Sequence, residues 1–133
     1  MVLAGATILT VGMTRVFVPQ DLEFMRVSIA ELDAANPRLV PLIAHDRAGF
    51  GGGILSAGLI VVACALFASP CRSLWQALGG AGTAGFGAAI GVHPAVGYTV
   101  WFHLAPAIAG ALLFVVGLVL TAPGRSGGSM QLR

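Results

Sequence analysis

Residues 100–122 read VWFHLAPAIAGALLFVVGLVLTA. The stretch holds no Asp, Glu, Lys or Arg, and its single ionisable group is His103. A helix rises about 1.5 Å per residue, so roughly 20 apolar residues cross about 30 Å of hydrocarbon. Length and composition both suit a membrane span. Two more uncharged runs lie upstream, at residues 50–69 and 74–92. A weaker run covers residues 1–18 and carries Arg15 near its end, where a long side chain can snorkel to the headgroups.

The whole chain repeats this bias. Of its 133 residues 57% are hydrophobic and 9% charged, against about 25% charged in a typical soluble domain. The mean hydropathy is +0.93. Backbone inside a bilayer must satisfy its own hydrogen bonds, and four segments of this length are too few and too long for a barrel. The expected fold is therefore all-α: one membrane domain, an integral bundle of four transmembrane helices, with a partly helical outward loop between helices 1 and 2. A net charge of +2 with scattered basic residues argues against nucleic acid as a partner and leaves the lipid bilayer. The N-terminus shows neither a basic n-region nor a small-residue cleavage site, so no signal peptide is read. Cys64 and Cys71 match neither a zinc spacing nor CxxC, and are read as unbridged thiols.

Loop charges suggest an orientation. The short link at 69–73 carries Arg72, and the tail carries Arg125 and Arg133 without acids. The 93–99 link has no Lys or Arg. By the positive-inside rule both termini lie in the cytoplasm, and the first loop and the 93–99 link face outward. A bacterial inner membrane fits this pattern. Within the first loop, Ser28-Ile-Ala-Glu31 reads as a capping box opening a short helix that ends near Asn36. Asn36-Pro37 then reads as a fresh helix start running through Pro41 and His45 into the second span. Asp21 is placed to cap a short helix after the first span.

Spans associate by close backbone approach, because lipid is as apolar as leucine. Small residues four apart mark the expected packing faces: Gly49 and Gly53, Gly87 and Gly91, Ala105 and Ala109. Trp75, Trp101 and Tyr98 fall at span ends, as belt residues do.

The three histidines carry most of the functional signal. His45 precedes the second span, His93 opens the 93–99 link, and His103 lies one turn inside the last span. The expected topology sends all three to the outer end, together with Asp21, Glu23, Asp46 and Tyr98. Ionisable groups at membrane depth are costly and usually mark a ligand, relay or pathway. Three uses compete. One is a metal site of imidazole and carboxylate ligands, although HExxH and ExxH are both absent. Another is a haem held by two histidines. The third is a quinone or other small apolar ligand bonded by His103 and Tyr98. A plainer reading stands beside them, in which the histidines bond loop backbone and the acids pair with Arg15, Arg26 or Arg47 to pin the loop.

Residues 16–25 (VFVPQDLEFM), 42–52 (LIAHDRAGFGG) and 91–99 (GVHPAVGYT) resemble segments of a group of uncharacterised bacterial small multi-pass membrane proteins. The resemblance covers most of the chain after Phe17. It implies a membrane location and no particular activity. Small size and the absence of an inverted repeat point away from a transporter. The expected role is an accessory or scaffold protein with a polar site at its outer end, working as a homo-oligomer or within a larger membrane complex. The alternative is a membrane-embedded metal or haem redox protein using His45, His93 and His103.

Overall fold

The computed structural model describes residues 1–123, so Arg125 and Arg133 lie outside the described residues. Those residues form six helices and no strand: α1 Val2–Thr14, α2 Pro19–Met25, α3 Ile29–Ala35, α4 Leu39–Phe67, α5 Arg72–Val96 and α6 Trp101–Leu120. They fall into two compact units, Met1–Phe67 and Ala68–Arg133. The all-α expectation holds. Two helices, α4 and α6, are long and apolar enough to cross a membrane, and α1 with α2 adds a third if that bent pair is one span. At 13 residues α1 reaches about 20 Å, short of the hydrocarbon thickness. Helix α5 has 25 residues, but its six glycines, with Gln76, Thr83 and His93, leave it less apolar than α4 and α6.

In the first unit α1 runs antiparallel to α4, backbone against backbone. A Cβ added at Gly12 would lie 2.9 Å from the Ala48 nitrogen, and one at Gly58 2.7 Å from the Val2 nitrogen. One at Gly5 would meet Leu55 Cα at 2.7 Å, and one at Gly51 would meet Leu9 Cα at 2.8 Å. Only glycine allows main chains this close. The seam therefore uses Gly5, Gly12, Gly51 and Gly58, not the expected Gly49 and Gly53, whose added Cβ atoms would meet nothing within 4 Å. Helix α4 is apolar all round, so spacing alone does not say which of its glycines faces a neighbour.

Helix α1 stops at a sharp bend. The Arg15 and Val16 N–H groups both donate to the Val11 carbonyl, and the Phe17 N–H donates to the Arg15 carbonyl at 2.7 Å. This three-residue turn holds Val16 at φ 62°, a left-handed conformation that a β-branched residue adopts only under strain. Pro19 then opens α2, its ring pre-set for a first helical position, and α2 leaves α1 at 67°.

The connecting helices follow the sequence closely. Ser28 caps α3, its hydroxyl accepting from the Glu31 N–H at 3.2 Å while the Glu31 carboxylate accepts from the Ser28 N–H at 2.7 Å. Asn36 ends α3, and its side-chain oxygen accepts from the Arg38 N–H at 2.9 Å as α4 begins. Helix α4 then continues through Pro41 and His45 for 29 residues.

In the second unit α5 and α6 form an antiparallel hairpin. The indole N–H of Trp75 donates to the Leu118 carbonyl at 2.9 Å, clipping the start of α5 to the end of α6. That carbonyl belongs to a last helical turn, where acceptors lack intrahelical donors. Next along the seam Phe86 and Phe114 touch with ring centroids 5.6 Å apart. Gly82 gives way to the Phe114 ring, and Gly110 to Phe86, whose ring carbon would lie 3.1 Å from an added Cβ. The expected small-residue pairs are not the contacts here. Gly87 and Gly91 meet nothing within 4 Å, Ala105 is half-buried and Ala109 is exposed.

Candidate functional site

Each unit gathers polar and aromatic groups, and the two sets differ in chemistry. In the first unit Asp21 is only 5% exposed. One of its carboxylate oxygens accepts from the Val18 N–H at 3.0 Å and pairs with the Arg47 guanidinium at 2.7 Å. Arg47 is 29% exposed, and its guanidinium carbon stands 5.5 Å from the ring centre of buried Phe17. The bend after α1 places Phe17 and Asp21, while close approach at Gly12 brings α4 near enough for Arg47 to reach them. A buried ion pair with this many fixed partners holds geometry. It secures α2 to α4, and of the three arginines considered from sequence it selects Arg47.

The other acids and His45 do not join it. His45 Nδ1 lies 3.1 Å from Asp46 on the neighbouring residue, with the side chains 83% and 71% exposed. Glu23 is exposed on α2. Gly49, four residues on and on the same helix face as His45, is open, so that face gives His45 no inward setting. Among the described residues no three His, Cys, Asp or Glu side chains lie where they could hold a metal ion. His45 belongs to the first unit and His93 and His103 to the second.

The second unit brings together three rings that were singled out from sequence. His93, Tyr98 and His103 have ring centroids 6.0 Å apart for His93–Tyr98, 5.4 Å for His93–His103 and 4.8 Å for Tyr98–His103. Local folding explains the cluster. Helix α5 continues through Pro94 to Val96, past the expected boundary, so His93 sits in its last turn. Gly97 at φ 75° reverses the chain, and the Tyr98 N–H donates back to the His93 carbonyl at 2.9 Å. This glycine C-cap folds Tyr98 over the helix end. His103 enters in the first turn of α6. His93 Nδ1 lies 2.8 Å from the Ala89 carbonyl, so it carries the proton and donates. In the neutral ring Nε2 is then the acceptor, its direction fixed by the bond on the other side.

What sequence reading missed is the stripe leading to these rings. Trp75, Gly79, Gly82, Phe86 and His93 recur at helical spacing on α5, and His103, Gly110, Phe114 and Leu118 recur on α6. Pairing the two stripes head to tail would have joined His93 to His103. No family model, curated protein or solved structure matches the chain.

Proposed function

We propose that the chain is a multi-pass membrane protein acting as an accessory or scaffold subunit, with a small-ligand site on its α5–α6 hairpin. The supporting observation is the hairpin itself. Helix α6 is long and apolar enough to cross a bilayer, and α5 runs antiparallel beside it from the Trp75–Leu118 clip to the His93–His103 contact. A partner along that whole length crosses with it, despite its glycines. In the first unit α1 with α2 accompanies α4 in the same way. Four crossings put both termini in the cytoplasm and the 97–100 link outside, as the position of Arg72 favours. Large apolar side chains such as Leu59, Phe67, Phe102 and Leu113 are exposed along these helices, as lipid or a membrane partner requires. The sequence resemblance to small bacterial membrane proteins implies a membrane location, and a bacterial inner membrane is the one proposed.

Single-cysteine labelling in intact cells tests this reading. Cysteines placed at Asp33 and Thr99 should react with an impermeant maleimide from outside, and Cys71 only after permeabilisation. Labelling of Asp33 and Thr99 from opposite sides, or a monomer soluble without detergent, would sink it. A second reading concerns the site. Two imidazoles and a phenol, with no third His, Cys, Asp or Glu beside them among the described residues, favour hydrogen bonding to a neutral ligand over a three-ligand metal centre.

A further inference from the structure

We infer that the hairpin binds a lipid-soluble quinone or its quinol, with the head among His93, Tyr98 and His103 and the chain along the α5–α6 groove. This rests on the membrane reading above and names the ligand class of that site. Three observations converge on it.

The first is continuity. A groove of about 430 Å³ runs between the two helices, lined by Phe86, Gly87, Ile90, Gly91, Ala111 and Phe114, and is almost entirely apolar. The groove extends from Gly82 and Leu118 to Gly91 and Ala111, and Ile90, three residues before His93 on the same face of α5, brings it within a turn of the rings, which do not themselves line it. The volume lies in the ordinary range for small-molecule sites of about 300–1,000 Å³. Gly87 and Gly91, which would meet nothing if they carried a Cβ, keep it open. An apolar groove one helical turn from a few convergent polar groups suits an amphipathic ligand with a compact head.

The second is charge. From Ser73 through Pro123 the sequence contains no Asp, Glu, Lys or Arg. Among the described residues of this unit the one Lys or Arg is Arg72, which opens α5 at the opposite end of the hairpin from His93. A phosphate head would be drawn to the Arg72 end, so the ligand at the rings is neutral.

The third is the kind of hydrogen bond on offer. His93 Nε2 is an acceptor that suits a quinol hydroxyl. The Tyr98 hydroxyl is a group that can both donate and accept. Rings 4.8–6.0 Å apart give a planar head flat surfaces to stack on.

The test uses full-length protein in detergent, titrated with a decyl-chain benzoquinone while tryptophan fluorescence is followed. Saturable quenching at one quinone per chain is expected. His103→Ala should weaken it about tenfold, the scale of one lost hydrogen bond. Gly87→Leu fills the groove where there is room for a side chain, so helicity and melting should be retained. It should weaken the decyl compound about tenfold yet leave a methyl benzoquinone unaffected. Non-saturable quenching equal in wild type and both variants overturns the inference. So does equal competition by phosphatidylglycerol, or loss of both quinones in Gly87→Leu. If labelling supports four crossings and quinone does not bind, the ligand assignment fails and the membrane reading stands. Labelling that contradicts four crossings sinks both.

Discussion

Gly51→Ala isolates the energetics of the α1–α4 seam. The added methyl would lie 2.8 Å from Leu9 Cα and 3.0 Å from the Ile8 carbonyl carbon, and would also press on the Leu9 nitrogen. All three are main-chain atoms and cannot rotate away. Carbon atoms prefer about 3.5–4.0 Å, so α1 and α4 must part by roughly 1 Å, and a gap of that size forfeits about a quarter to a half of each dispersion contact. Overpacking of this kind costs about 1–3 kcal/mol. Alanine returns up to about 1 kcal/mol through its helix propensity. Gly53→Ala on the same helix gains the same propensity, and its methyl meets nothing within 4 Å. The propensity contributions cancel between the two variants, which leaves an expected gap of about 1–3 kcal/mol with Gly51→Ala the weaker. Unfolding both proteins in detergent, by heat or by added sodium dodecyl sulfate, measures that gap. Equal stabilities, or a more stable Gly51→Ala, would refute the reasoning.

Arg47→Met leaves the Asp21 carboxylate buried without its cation and should cost about 3–5 kcal/mol in the same unfolding assay, while Asp21→Asn with Arg47→Met should recover most of the loss. Val16→Gly relieves a left-handed valine, a strain of about 1–3 kcal/mol, against about 0.5–1 kcal/mol of added chain entropy, so melting should rise or hold. Val16→Pro, whose ring fixes φ near −65°, should lower it. The Ser28 N–H, and after it the Ser28 hydroxyl, hold the Glu31 carboxyl below its usual pKa. A depressed folded-state pKa stabilises α3 above the ordinary glutamate value, and that stabilisation fades as pH falls through the lower folded one. The Ser28 amide resonance should follow this titration in the acid range, and Ser28→Ala should move it back toward the ordinary glutamate value.

Local chemistry was legible in the sequence, and pairing across helices was not. The Ser28–Glu31 box and the restart at Asn36-Pro37 appear where the sequence puts them, because caps depend on neighbours three or four residues apart. The role of Asp21 in pinning the loop was visible, but choosing among Arg15, Arg26 and Arg47 required the 67° bend and the depth of α4. Gly49 and Gly53 satisfied a spacing rule on a helix that is apolar on every side. The seam instead repeats every seven residues, at Gly5 and Gly12 and at Gly51 and Gly58, and only the comparison of two helices exposes that. His93 and His103 were flagged for scarcity and depth, and the hairpin brings them together. His45 shared those signals and stands exposed beside Asp46, since a residue type does not fix a direction. Helix α5 reads as a span for its lack of charge, and its glycines make it less apolar than α4 and α6.

The α1–α4 seam also works as a ruler. At each of its four levels one partner is a glycine and the other is not: Val2 with Gly58, Gly5 with Leu55, Leu9 with Gly51, Gly12 with Ala48. Slide α1 by three residues and Gly5 comes opposite Gly58 and Gly12 opposite Gly51, while Leu9 collides with Ile54. Every tooth then meets a tooth and every notch a notch. The next frame that restores the alternation lies seven residues, or about 10.5 Å, further along, and reaching it would drag Asp21 off Arg47. Such a pair can come apart, but it cannot creep.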